Sequence, residues 1–244
     1  MSVYVDHFYI KPTKEAYTKL FDSFQTIIGE DLFQHGEFEV DGKSWSGFYV
    51  YFENGSFLEV LDPEVSVGSQ SVGLCMTCEK EYRGHFLPQV QDALTGKNTE
   101  YMMVPVEAPL LSICRIRPYS YLSSWGVEYS DQWMKEWGSQ SSKLGLLSPF
   151  ESFQSLTFVY PKEYVTNVED NLSWIDPRLT SEENIALPLK GGSSTSVAFL
   201  EGRNPSCTIS FTTEEDLEDF EISGEGFSFI VKNGVAAINT ELMV

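Results

Sequence analysis

The chain has 244 residues, with 36 acidic side chains against 16 basic ones and a formal net charge of −20. A hydrophobic share of 42% with 14% aromatics excludes a disordered chain, and a pI near 4.4 argues against a nucleic-acid binder, which needs a basic surplus. No apolar run reaches the roughly 18–20 residues of a membrane span, and the opening MSVYVDHFYI lacks a basic and apolar leader. The expectation is therefore a cytoplasmic globular protein with neither a nucleic-acid nor a membrane partner.

Residues 3–10, VYVDHFYI, are β-branched and aromatic and predict a strand. Thr13 is placed to N-cap a helix over Lys14–Ile28. The helix's apolar positions Ala16, Tyr17, Leu20, Phe21, Phe24, Ile27 and Ile28 make one face, and Gly29 ends it. Strands are expected at Leu32–Val40, Trp45–Phe52 and Ser56–Leu61, separated by the hairpin dipeptides Asp41-Gly42 and Asn54-Gly55.

The same β-α-β-β-β order then recurs. Val72–Cys78 predicts a strand, and Phe86, Leu87, Val90 and Leu94 predict a helix within 82–94, with Pro88 confined to its first turn. Strands are expected at Glu100–Val106, Leu111–Ile116 and Trp125–Tyr129. Ser130–Trp137 reads as one short helix carrying Trp133, Met134 and Trp137, an apolar patch suited to an internal junction or a dimer contact. Gly138–Ser142 (GSQSS) reads as a connection.

A third pass begins near Phe153, with a strand at Ser155–Tyr160 and a helix at Lys162–Ile175. Strands follow at Ile185–Leu189, Ser196–Leu200, Cys207–Phe211 and Phe227–Val231. Gly191-Gly192 belongs to a turn or mobile loop, and the six acidic residues within Glu214–Glu221 to a solvated acidic face or loop rather than a calcium site. The expected fold class is α+β. Repeated βαβββ modules at 1–68 and 69–138 form curved mixed sheets around a cleft. The 139–244 region is α+β, either a third module or an unrelated appendage.

The four cysteines are Cys75, Cys78, Cys114 and Cys207. Cys75 and Cys78 have CxxC spacing, but zinc needs two further ligands and no second pair follows. Positions three apart on a strand face opposite sides, so the two thiols are expected to diverge as small buried hydrophobes.

Three segments resemble a module of the vicinal-oxygen-chelate superfamily, the glyoxalase, bleomycin-resistance and dioxygenase fold. They are the opening Val5-Asp6-His7-Phe8-Tyr9-Ile10, the middle Trp45-Ser46-Gly47-Phe48-Tyr49 and the closing Gly55-Ser56-Phe57-Leu58-Glu59-Val60-Leu61. The likeness covers residues 1–62 and, more loosely, 72–129. It implies two βαβββ modules, each bending its sheet around a cleft. It also implies a half-site for a divalent metal (Zn, Fe, Mn or Ni) at His7 and Glu59. The second module departs from that pattern, because Gly73-Leu74-Cys75-Met76 offers no histidine, although Glu128 stands in its last strand. The implied set His7, Glu59 and Glu128 is one ligand short of four.

The residues themselves support part of this. Alternation places His7 with Val5 and Tyr9, and Glu59 with Phe57 and Leu61. A buried carboxylate must find a partner, and His7 is the obvious one. The pair could hold a metal, act as an acid/base couple or be a satisfied core pair. The aromatics Trp45, Phe48, Tyr49, Tyr51 and Phe57 line a pocket or fill the sheet core. The candidate ligand pocket is thus His7, Glu59, Trp45, Tyr49 and Glu128. His35 and His85 read as surface histidines, and no catalytic residue is assigned.

Neither GxSxG, a P-loop nor a GxGxxG leading into a helix is present. Three functions compete, and whether the chain is an enzyme stays open. One is a small-molecule-binding protein with its cleft built on the His/Glu pair. Another is a metal-dependent lyase or dioxygenase-type enzyme using His7 and Glu59, with Glu128 or His35 completing the ligand set. The last is an acidic protein engaging a basic partner. A monomer or a homodimer suits each.

Overall fold

The computed structural model describes residues 3–40, 43–66, 70–96, 100–104, 111–116, 122–161, 185–190 and 192–242. The first repeat is β1 (Val3–Ile10), α1 (Lys14–Ile28), β2 (Gln34–Val40), β3 (Lys43–Tyr51) and β4 (Phe57–Leu61). Thr13 caps α1 by accepting from the backbone N–H of Ala16, and Gly29 closes it at φ 86°. Gly55, at φ 82°, turns the chain between β3 and β4, while the expected Asp41-Gly42 turn lies outside the described residues. The second repeat is β5 (Val72–Cys78), α2 (Phe86–Gly96), β6 (Tyr101–Val104), β7 (Leu111–Ile116) and β8 (Leu122–Tyr129). Pro88 sits in the first turn of α2, where its missing N–H breaks no helical bond.

The two repeats form one eight-stranded mixed sheet in the order β2-β3-β4-β1-β5-β8-β7-β6. Each helix is the crossover that lets the last strand of its repeat lie parallel to the first: β1 beside β4, β5 beside β8. The repeats meet where β1 runs antiparallel to β5.

A helical segment follows: α3 (Asp131–Trp133), a π-helical turn (Met134–Gly138) and α4 (Ser139–Leu146). The sequence predicted a connection at Gly138–Ser142, and the structure makes it helical. The serines bond back into the helix, Ser139 Oγ to Lys135 O, and Ser141 and Ser142 Oγ to Gly138 O. Packing then fixes the segment on the sheet. Leu144 rests on Tyr49, Tyr51 and Phe57, and Gly145 lies so close to β3 that a Cβ would stand 2.3 Å from Phe52 O.

The rest of the chain builds a seven-stranded sheet, β10-β11-β9-β12-β15-β14-β13. Its strands are β9 (Phe150–Tyr160), β10 (Ile185–Pro188), β11 (Ser194–Glu201), β12 (Ser206–Thr213), β13 (Phe220–Gly224), β14 (Phe227–Lys232) and β15 (Val235–Glu241). The helix expected at Lys162–Ile175 lies outside the described residues. Strand β9 repeats the parallel pairing of a first strand by lying beside β11. β12 pairs antiparallel with β15 instead, because Glu214–Asp219 is a short exposed turn rather than a helical crossover. Two of these strands, β13 and β15, were not foreseen. β13 takes in Glu221, the end of the acidic run, and a charged edge strand resists pairing with other chains.

One continuous core joins the sheets. Val5, Phe8 and Ile10 of β1, Phe24 of α1, and Phe153, Phe211 and Phe229 of the second sheet all belong to it. The first sheet therefore has a packed face, shared with α1, α2 and the second sheet, and an opposite face partly covered by α4. No helix among the described residues is long and apolar enough to cross a membrane.

Candidate functional site

Strict alternation along β1 would send Asp6 and His7 to opposite faces, with His7 beside Val5. The register shows otherwise: Val5 pairs with Met76 and His7 with the adjacent Cys75, so Asp6 is an extra residue. This β-bulge corrects the predicted face of Val5, which is in the packed core, and turns Asp6 and His7 both toward the other face. There His7 Nδ1 and Asp6 Oδ2 are 2.6 Å apart, and the Tyr129 hydroxyl donates to the same carboxylate oxygen at 2.7 Å. The imidazole stacks on Phe57, with ring centroids 4.3 Å apart, and meets the edge of Trp125 at 5.3 Å. Tyr9 shares this face because Gly73 leaves room for its ring. A Cβ on Gly73 would stand 2.0 Å from Tyr9 Cε1.

Glu59 comes to the same face from β4, as predicted, and is 8% exposed. Its hydrogen bond comes from Tyr49, whose hydroxyl donates to Oε1 at 3.1 Å, and not from the expected partner His7, whose Nδ1 turns to the nearer Asp6 carboxylate that the bulge presents. Burial pushes the Glu59 carboxyl above its ordinary range, opposed by the charge of His7 and by the Tyr49 hydrogen bond. The Tyr49 hydroxyl is pushed up in turn by burial and by the Glu59 charge.

A carboxyl held above its unfolded value makes the folded state the better proton binder, so stability falls as pH rises through the carboxyl's folded range. Glu59→Gln keeps an acceptor for Tyr49 and cannot ionise. The variant is expected to melt above wild type at about pH 8 and together with it at about pH 4. Thermal unfolding across that range checks this, and a variant less stable at the alkaline end contradicts it.

The two thiols of the CxxC diverge as predicted. Cys78 is in the packed core, whereas Cys75 lies directly across from His7. The Cys75 Sγ, a His7 ring nitrogen and an Asp6 carboxylate oxygen lie within 4.8 Å of one another. Burial, then the charges of Asp6 and Glu59, push the Cys75 thiol well above its ordinary value. All four cysteines are free and buried.

Of the five predicted pocket residues, the structure brings three together: His7, Glu59 and Tyr49. Trp45 lies about 13 Å along β3 from Tyr49 at the rise of an extended strand. Glu128 is engaged elsewhere: its carboxylate accepts from the backbone N–H groups of Gly84 and Leu87, at 2.9 and 3.0 Å, and caps the start of α2. As to the metal implied by the resemblance, Glu59 is outside the close donor group that includes His7, and Glu128 is committed to α2. The set His7, Glu59 and Glu128 therefore does not fit a shared ion. His35 and His85 are exposed, as expected.

A cavity of about 490 Å³ opens beside the donor group at Asp6, and its lining includes none of the five predicted pocket residues; Tyr49 and Glu59 bond to each other and Glu128 is committed to α2 instead. Tyr4, Asp6, Phe57 and Tyr129 line its sheet side, and Trp133, Met134, Ser141 and Ser142 its helical side. Trp133 stacks on Tyr129 with centroids 3.8 Å apart, so the predicted Trp133 patch serves an internal junction. The second sheet contributes as well. Leu189 bridges to Val5 beside β1, which brings the Lys190 ammonium beside Gly55 and into the cavity wall. Asp6, Cys75, Tyr129 and Lys190 were missed by sequence reasoning. Only Cys75 carried a sequence signal, its place in a buried strand.

No protein-family model matches the chain, and no curated protein matches it. Among solved structures, it is similar to the crystal structure of a hypothetical protein from Staphylococcus aureus. The two share 12% identity with a TM-score of 0.49, over 95% of this chain and 99% of that one.

Proposed function

We propose that the chain is a small-molecule-binding protein of the vicinal-oxygen-chelate type, acting in the cytoplasm, and that its ligand is a flat organic anion. The observation that carries this reading is the 490 Å³ cavity against Asp6, a volume within the range of about 300–1,000 Å³ usual for small-molecule sites. The paired βαβββ order supports the kinship, and four free cysteines suit a reducing compartment.

The cavity wall indicates the ligand's chemistry. Phe57, Tyr129 and Trp133 offer aromatic surface. Four cations, Lys80, Arg83, Lys135 and Lys190, meet three carboxylates there, Asp6, Glu79 and Asp131. That inverts the balance of a chain with 16 basic and 36 acidic residues. Asp131 already engages Lys80 and Arg83, while Lys135 and Lys190 join no ion pair among the described residues. Two ammonium groups are thus left to meet an acidic ligand.

The test is a thermal-shift and tryptophan-fluorescence screen with aromatic carboxylates and phosphate esters, each beside its neutral amide or alcohol. Aromatic anions are expected to raise the melting temperature and perturb the emission of Trp133, the neutral analogues much less. Ser142→Trp, which fills the cavity from α4, and Lys190→Glu are expected to abolish the effect. The reading fails if no anion stabilises wild type, or if Ser142→Trp binds as wild type does.

A further inference from the structure

The geometry points to a thiolate-containing metal site formed by Asp6, His7 and Cys75 behind the cavity wall that Asp6 lines, selective for zinc-like divalent ions. It is distinct from the His7/Glu59 half-site that the resemblance implies. Two local features build it. The bulge after Val5 turns two successive donors of β1 to one face, and the antiparallel register sets Cys75 directly across from His7. The three donor atoms then lie within 4.8 Å of one another, with Asp6 and His7 half-buried and Cys75 buried. Small side-chain shifts would bring such atoms to the roughly 2.0–2.3 Å bonds that zinc makes to nitrogen, oxygen and sulfur.

Charge and access favour the same ion. A carboxylate and a thiolate together carry two negative charges, and a neutral imidazole adds none. A divalent cation would therefore give a neutral assembly, which a site walled by Phe57 and Trp125 can bury without a lone charge. On binding, the Cys75 thiol proton leaves to solvent as the sulfur–metal bond forms. The mixed sulfur, nitrogen and oxygen set suits Zn²⁺ or Co²⁺, whereas Mg²⁺ and Ca²⁺ want oxygen alone. Asp6 lines the cavity, so an entry path exists, and three protein donors leave a further position open toward it. The outer contacts are already in place: the Tyr129 hydroxyl on Asp6 and the Phe57 ring stacked on His7.

The experiment is titration of the dialysed, reduced 244-residue chain with Co²⁺ alone, followed by displacement with Zn²⁺, and needs no knowledge of the organic ligand. One equivalent is expected to bind with a near-ultraviolet sulfur-to-cobalt charge-transfer band and visible bands of tetrahedral intensity. Zn²⁺ should abolish them and Mg²⁺ should not. Cys75→Ser is expected to lose the charge-transfer band and to weaken binding by more than about 100-fold, beyond the loss typical of an outer-contact variant. Glu59→Gln, which alters only the neighbouring pair, should keep both. If Cys75→Ser does not fold, Cys75→Ala and His7→Gln carry the same comparison. The assignment is overturned if wild type shows no charge-transfer band, if the band survives replacement of Cys75, or if Glu59→Gln removes it. Since no organic anion is used, failure here leaves the proposed anion cavity standing, and the reverse also holds.

Discussion

Phe153→Ala is expected to lower the stability of the whole chain by about 3–5 kcal/mol, the usual range for removing a buried aromatic ring. Phe153 belongs to the second sheet but packs on the first. Its ring centroid lies 5.1 Å from that of Phe8 in β1 and 4.2 Å from that of Phe52, and it is 2% exposed. Phe52 in turn reaches Phe211 of β12. Truncation opens a void where the sheets meet, and rigid strands on both sides limit its collapse. Because the core is one continuous cluster, the loss should move both sheets together. At about 2–4 °C per kcal/mol for a chain of this size, calorimetry should show a single transition shifted down by roughly 6–20 °C. A split into two transitions would mean that the sheets unfold independently.

Asp6→Ala should have the second-largest effect, a loss of about 2–3 kcal/mol. One carboxylate oxygen serves both the Tyr129 hydroxyl and His7 Nδ1. Hydrogen bonds to a charged group contribute about 1.5–3 kcal/mol each, reduced here because Asp6 and Tyr129 are only half-buried. Asp6→Asn keeps an acceptor oxygen and should lose markedly less. The imidazole signals of His7 in a proton–nitrogen NMR spectrum should broaden or shift in Asp6→Ala as the ring loses its anchor, even at temperatures where the variant is folded. Equal losses for Ala and Asn would show that the hydrogen bonds contribute little.

The contrast between these residues shows which features were legible in sequence. The cap at Thr13, the stop at Gly29, the apolar stripe of α1 and the turn at Gly55 depend on neighbours a few residues away, and the sequence expresses them directly. His7 and Glu59 were placed correctly on one face because alternation is regular along β4 and, beyond the bulge, from His7 to Tyr9 in β1. Asp6 was not, because nothing in VYVDHFYI marks a bulge, which arises only when β1 is matched against β5. The helix through Gly138–Ser142 was missed for a related reason. Its glycine and serines favour a connection locally, and only the fit of Leu144 and Gly145 against β3 overrides that preference. Glu128 was misplaced because a carboxylate beside a cleft and one capping a helix look alike in sequence.

The order of letters alone, through short-range periodicity and turn chemistry, determined two βαβββ repeats, a histidine and a glutamate on one face of the first sheet, and a strongly acidic chain. Tertiary structure decided which donors meet. Strand register and the bulge bring His7 and Cys75 beside Asp6, and the seating of the second sheet beside β1 brings Lys190 to the same hollow as Asp6, from as far apart in the chain as residues 6 and 190. Such encounters depend on long-range pairing and packing, which leave no periodic trace in the segments they join.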